Sequence, residues 1–163
     1  MDGPNRPEGL DREASISYAK KYLEDLLSFF GLNTEVHATA DEEVIELHVP
    51  STHLNGFLIG QRGETLRSLQ FMIATTLKNQ DAELNRVNVD IADYKKHRYD
   101  RLAEQTREWI EGVRTSGEPS HLEPMNAAER RIVHKTVTEY SDIDTHSEGE
   151  GRDRHVVLSK KAE

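Results

Sequence analysis

Leu58-Ile59-Gly60-Gln61-Arg62-Gly63-Glu64-Thr65-Leu66 sets two glycines around a polar–basic pair, directly ahead of a helical apolar pattern. Glycine lets the backbone turn sharply and approach a ligand with no Cβ in the way. A helix that opens there turns its first N–H groups outward, where they attract anions. Gly60, Gln61, Arg62 and Gly63 are therefore candidate phosphate-binding residues, and Arg67, one turn on, adds charge. The plainer alternative is a tight loop between two helices that needs glycine for positive φ. Two nucleotide motifs are excluded. GxxxxGK[ST] is absent, and GxGxxG fails because Leu58 stands where its first glycine belongs.

Outward from the loop, Leu66, Leu69, Ile73 and Leu77 recur at helical spacing to about residue 78. Residues 51–58 predict a short helical turn leading in. Before them, residues 34–40 and 44–49 alternate around Asp41-Glu42-Glu43 and predict a hairpin, with Ile45, Leu47 and Val49 on one face. Residues 12–30 carry Ala19, Tyr22, Leu23, Leu26 and Phe30 on one helical stripe, stopped by Gly31. Val87, Val89 and Ile91 alternate with polar residues as a third strand. The order helix–strand–strand–helix–helix–strand suits a small three-stranded sheet backed by helices over residues 12–92. Leu58, Leu66 and the third strand are candidate walls of a groove beside the loop.

A second module is expected over residues 93–159. Its long leading helix, 93–114, shows Tyr99, Leu102, Thr106, Trp109, Ile110 and Val113 along one stripe. Asn126 with Glu129 three residues on resembles a cap opening a helix over 127–140, with Ile132, Val133, Val137 and Tyr140 inward. Residues 145–148 and 154–158 predict two short strands around Gly149-Glu150-Gly151. Arg130 and His134, four apart, share one helical face. An arginine can fork onto phosphate, and a histidine can donate to phosphate or stack on a base. Two plainer readings stay open: an exposed pair on a solvated helix, or a histidine tying the helix to the nearby strands. Lys95, Lys96 and Arg98 form a basic knot that is either a candidate phosphate track or a solvated helix face.

With 163 residues, 35% apolar and 31% charged, the chain can build two thin α+β modules. It has no cysteine, which excludes disulfides and thiolate metal sites. The opening residues show no apolar leader segment, and no apolar run is long enough to span a membrane, so the expected location is the cytoplasm. Residues 1–11 and 160–163 are expected to be polar tails. The net charge of −9 opposes nucleic-acid binding by bulk charge. The acid is unevenly spread, however. Residues 1–50 hold 4 basic and 11 acidic side chains, whereas residues 51–115 hold 10 and 9. Binding is expected to be local and salt-sensitive.

Eight histidines raise the question of a metal. His121, His134, His146 and His155 fall in the second module, but HxxxH and HExxH spacings are absent, so no metal is expected. Only separate strands can bring two of them together. No catalytic arrangement emerges, and neither an enzyme activity nor a cofactor is expected.

The loop neighbourhood, from Leu58 through Leu69 and Gln70, is similar to the KH domain of the Jag family of bacterial RNA-binding proteins, also called SpoIIIJ-associated or KhpB proteins. The stretch Glu123-Pro124-Met125-Asn126-Ala127-Ala128-Glu129-Arg130-Arg131-Ile132-Val133-His134 resembles that family's RxxxH domain, named for an arginine and a histidine separated by three residues. The likeness covers about residues 14–158. It implies single-stranded RNA binding, or single-stranded DNA, by two cooperating modules, with Gly60, Gln61, Arg62 and Gly63 at one site and Arg130 and His134 at the other. It also implies post-transcriptional regulation linked to cell-envelope growth or division, and pairing of some members with a small single-KH-domain protein. The rival reading is a protein-interaction adaptor whose nucleic-acid binding is vestigial.

Overall fold

The computed structural model describes residues 9–162. Packing divides the chain into two units, Met1–Lys95 and Lys96–Glu163, and two three-stranded sheets form, making this an α+β protein. Of the expected N-terminal tail, residues 1–8 lie outside the described residues. Residues 9–11 are not a tail. Leu10 packs on the first core, its carbonyl accepts from the Glu83 N–H at 2.8 Å, and Asp11 caps the first helix through the Ala14 N–H. These anchors are long-range or single-residue features that a polar, proline-bearing stretch does not advertise.

In the first unit, α1 (Arg12–Phe29) buries Ala19 and Leu23 as the spacing predicts, but Leu27 rather than Phe30 completes the buried stripe, Tyr22 and Leu26 are only partly buried, and Phe30 is exposed. β1 (His37–Ala40) and β2 (Val44–Val49) pair antiparallel. The Asp41 carboxylate accepts from the Glu43 and Val44 N–H groups, both at 2.8 Å, which sets the tight turn between them. Those two bonds hold the Asp41 carboxyl below its usual range. β1 is shorter than the expected 34–40: its pairing starts where His37 faces His48, close to the end of β2 at Val49. The chain then forms α2 (Asn55–Ile59), a 3₁₀ turn (Gln61–Gly63), α3 (Glu64–Asn79) and β3 (Arg86–Ile91). β3 lies parallel to β2, Val44 opposite Arg86, so the two helices make the crossover that a parallel pair requires. Ile45, Leu47 and Val49, Val87, Val89 and Ile91, and Leu66, Leu69, Ile73 and Leu77 meet α1 in one core. Each such side chain, fully buried, contributes about 1.5–3 kcal/mol.

In the second unit, α4 (Tyr94–Ser116) buries Leu102, Thr106, Ile110 and Val113. α5 (Ala127–Val137) opens with a capping box: Asn126 Oδ1 accepts from the Glu129 N–H at 3.0 Å, and Glu129 Oε2 accepts from the Asn126 N–H at 3.1 Å. The helix stops at Val137 rather than 140, yet the Tyr140 ring is still held, with the Arg114 guanidinium 5.0 Å from its centre. β4 (Ser120–His121), β5 (Ile143–Glu148) and β6 (His155–Lys160) form an antiparallel sheet in the order β4-β6-β5. β4 is too short for periodicity to reveal. The expected tail at 160–163 begins late, because Lys160 pairs with Ile143 and the Lys161 N–H donates to the Asp142 carbonyl.

Candidate nucleic-acid interface

The loop of the first unit is built from backbone that most residues avoid. Gly60 has φ 71 and ψ −179, Arg62 has φ 52 and ψ 27, and Gly63 has φ 75 and ψ 21. The Gly60 conformation is open essentially to glycine alone, and a left-handed arginine costs about 1–2 kcal/mol. A Cβ on Gly60 would lie 2.3 Å from Thr65 Oγ1 and 2.9 Å from the Thr65 nitrogen. A Cβ on Gly63 would lie 3.1 Å from the Tyr94 ring. The turn is thus closed against α3 on one side and Tyr94 on the other.

α3 starts at Glu64 with no side-chain cap. Its N-cap is Gly63, which has no side chain to bond the first N–H groups, and its positive pole sits beside the loop. Gln61 and Arg62 are exposed, and Arg67 Nη1 donates to the Arg62 carbonyl at 2.9 Å, bracing the turn. Gln70, one turn beyond Arg67, accepts from the Val89 N–H at 3.0 Å and so occupies a donor of the outer strand β3. Leu58 and Leu66 do not wall a groove. They are 1% and 2% exposed and belong to the core, because the same alternation that makes them apolar turns them inward. Tyr94 and Gln70 were not legible as site neighbours. Tyr94 reaches Gly63 through two consecutive left-handed residues, Ala92 at φ 52 and Asp93 at φ 55, which no motif announces.

The basic knot divides. Lys95 is half-buried, its ammonium donates to Asn88 Oδ1, and burial pulls its pKa below the usual lysine range against the pull of Asp90 and Glu46. Arg98 Nε donates to the buried Glu129 carboxylate at 2.9 Å. Only Lys96 of the three is exposed. A phosphate track would have to displace two internal partners.

In the second unit, Arg130 Nη1 donates to the Met125 carbonyl at 2.9 Å, spanning the entry to α5. His134 lies between two hydroxyls of β5: Nε2 is 3.1 Å from Ser147 Oγ and Nδ1 is 3.1 Å from Thr145 Oγ1. Burial, then the charge of Arg130 and that of His146, lower its pKa below 6.5. The histidine is therefore neutral at physiological pH and ties α5 to the strand. That is one of the plainer readings of the pair, and it coexists with a half-exposed Arg130 and a ring edge that polar groups already orient. Thr145 and Ser147 were not singled out from sequence. Their alternation on β5 was the available signal.

Apart from this face, β4 and β6 bring His121 and His155 within 3.3 Å, a pairing of histidines from separate strands. No described helix is long and apolar enough to cross a membrane.

The RxxxH domain family, written R-3-H for its arginine, three intervening residues and histidine, matches residues 100–160, which include Arg130 and His134. RNA-binding protein KhpB of Bacillus subtilis (strain 168) is 30% identical over 148 residues, covering 90% of this chain and 71% of that protein. RNA-binding protein KhpB of Clostridium symbiosum is 30% identical over 153 residues, covering 93% and 69%. The protein of the same name from Streptococcus pneumoniae serotype 2 is 24% identical over 148 residues, covering 91% and 45%. Likeness of that extent along nearly the whole chain, together with the RxxxH domain match, means that this chain belongs to the KhpB (Jag) family.

Proposed function

We propose that this protein binds single-stranded RNA through a KH-like module at residues 12–92 and an RxxxH module at residues 93–159. The observation that carries the reading is the loop from Gly60 to Gly63: a turn that only glycine can make, an uncapped helix start behind it, and Arg62 and Arg67 beside it. A KH loop of this kind clamps about four nucleotides by their backbone. In the second module the half-exposed Arg130 supplies a charge fixed by a carbonyl, and the oriented His134 ring offers an edge or face to a base. Two modest sites on one chain gain by effective concentration. Single-stranded DNA is the secondary ligand. The family suggests a post-transcriptional regulator connected with cell-envelope growth or division, acting in the cytoplasm and without turnover. It also suggests a small single-KH-domain protein as partner.

One observation favours the adaptor reading as a second choice. Phe29, Phe30, Phe57, Phe71 and Met72 of the first unit are exposed, and Phe30 and Phe57 meet edge to face at 5.2 Å. Fluorescence anisotropy with short labelled RNA at two salt concentrations tests the choice. Gln61→Asp/Arg62→Asp should abolish salt-sensitive binding, and Arg130→Ala/His134→Ala should weaken it. Undiminished binding by both variants would sink the proposed sites. No binding at low salt would favour the adaptor.

A further inference from the structure

The sheet of the second unit has two unlike faces. Thr145 and Ser147 of β5 turn toward α5 and hold His134, so His146 and Glu148 turn the other way. Register places the rest. His146 and His121 both pair with Val157, and Glu148 pairs with His155, so three histidines and one carboxylate share the outer face in two adjacent rows. His121 Nδ1 and His155 Nε2 are 3.3 Å apart, and Glu148 Oε2 lies 3.8 Å from the first and 4.0 Å from the second. A point equidistant from three atoms so spaced is about 2.2 Å from each, close to the length of a zinc–imidazole bond.

The surroundings suit ligation too. His155 Nδ1 donates to the Asp153 carbonyl at 2.9 Å, which leaves the Nε2 lone pair facing the other two donors. His146 Nε2 lies 2.8 Å from Glu148 Oε1, which orients the carboxylate and leaves Oε2 facing the histidines. Metal-binding histidines and carboxylates are regularly held by outer partners of this kind. The ligand set rejects the hard cations: magnesium and calcium take oxygen ligands, whereas two imidazoles and one carboxylate suit zinc and its neighbours. A second group of possible ligands, His48, Asp90 and Asp93, is weaker. Asp90 Oδ1 already accepts from the Ile91 and Lys95 N–H groups.

We propose that His121, Glu148 and His155 form a surface site for a divalent zinc-type transition-metal ion, with His146 and the Asp153 carbonyl as its supporting partners. Binding shifts the His121 proton from Nδ1 to Nε2, so that Nδ1 offers its lone pair. Water completes the coordination on the open side. The ion would link β4, β5 and β6 across the outer face of the sheet.

Zinc titration of the full chain against a chromophoric chelator, at pH 7.5, tests this. One zinc per chain is expected, with no competition from millimolar Mg²⁺. His121→Ala/His155→Ala should lose it and Glu148→Gln should weaken it by at least about tenfold, while His146→Ala, an outer partner, costs about tenfold or more without abolishing it. His53→Ala, in the first unit, should change nothing. All five changes lie at exposed or half-exposed side chains, and far-UV circular dichroism checks that each variant is folded. Zinc bound equally by the His121/His155 variant, or no stoichiometric zinc in the wild type, overturns the proposal.

Discussion

Replacing Gly60 by alanine should be the most damaging single methyl that can be added to the proposed binding loop. Two costs combine. The backbone angles of Gly60 fall in a region essentially reserved for glycine, worth about 1–3 kcal/mol to any other residue. The new Cβ also meets Thr65 Oγ1 at 2.3 Å and the Thr65 Cβ and nitrogen at 2.9 Å each. Rotation can move the hydroxyl, but the nitrogen belongs to the first turn of α3 and can move only with the helix. A forced shift of that kind adds about 1–3 kcal/mol. We expect a combined loss of about 2–6 kcal/mol in urea unfolding, and RNA affinity reduced beyond the loss of folded protein.

Two other glycines separate the causes. Gly31 has φ 79 and nothing within 4 Å of the place an added Cβ would take, so Gly31→Ala reports the backbone cost alone, about 1 kcal/mol. Gly63 has φ 75 and a Tyr94 carbon at 3.1 Å, so Gly63→Ala should fall between. A Thr65→Ala background removes only the 2.3 Å contact and should restore less than half of the Gly60→Ala loss. Gly60→Ala no more costly than Gly31→Ala would refute the reasoning, because the tight packing of the loop on α3 would then carry no energy.

Three further outcomes are expected. Arg130→Ala, which removes the bond to the Met125 carbonyl, should cost about 1–2 kcal/mol of stability, and Arg130→Lys should recover part of the loss, both read by thermal or urea unfolding. The His134 pKa is lowered by folding, so the stabilisation from burying the neutral ring is complete above pH 6.5 and is lost as pH falls from 6.5 toward the folded value, where the unfolded chain takes up the proton first. His134→Gln should flatten that part of the stability–pH curve, and a His134 NMR titration midpoint at or above 6.5 would contradict the assignment. Glu129→Ala breaks the capping box and strands Arg98, a loss of about 2–4 kcal/mol in urea unfolding; it falls short of a fully buried pair because Arg98 keeps 26% of its side chain exposed.

The core faces were readable because helical and strand periods place apolar residues without help from distant chain. Ile45, Leu47 and Val49 are buried on one side of β2 as alternation demands, and Leu102, Thr106, Ile110 and Val113 line α4. What failed depended on partners far along the chain. Leu58 and Leu66 look the same whether they line a groove or fill a core, and only packing against α1 and the sheet decides. The two-residue β4 exists because Ser120 and His121 find Leu158 and Val157 on β6, a pairing with no local pattern. The basic knot stayed open between a track and a solvated face because charge is visible in sequence while the partners of Lys95 and Arg98, Asn88 and Glu129, are not adjacent to it.

How a chain of net charge −9 would hold the proposed polyanion turns on what its cations are bonded to. Lys20 and Lys21 pair with Glu35 and Asp25, Arg86 with Glu43, Arg107 with Glu139, and Arg114 with Asp142. Each of those charges is compensated and offers little to a phosphate. Arg67 and Arg130 are positioned differently, by the carbonyls of Arg62 and Met125. A carbonyl accepts a hydrogen bond without cancelling the charge, so the guanidinium is fixed in place and remains cationic toward solvent. A carboxylate would fix it equally well and neutralise it, which is the condition of Arg98 against Glu129. A phosphate reaching Arg67 or Arg130 therefore meets an oriented cation whose bond to the chain need not be broken to admit it, and with so few such contacts in an unfavourable field the binding is expected to be modest and salt-sensitive.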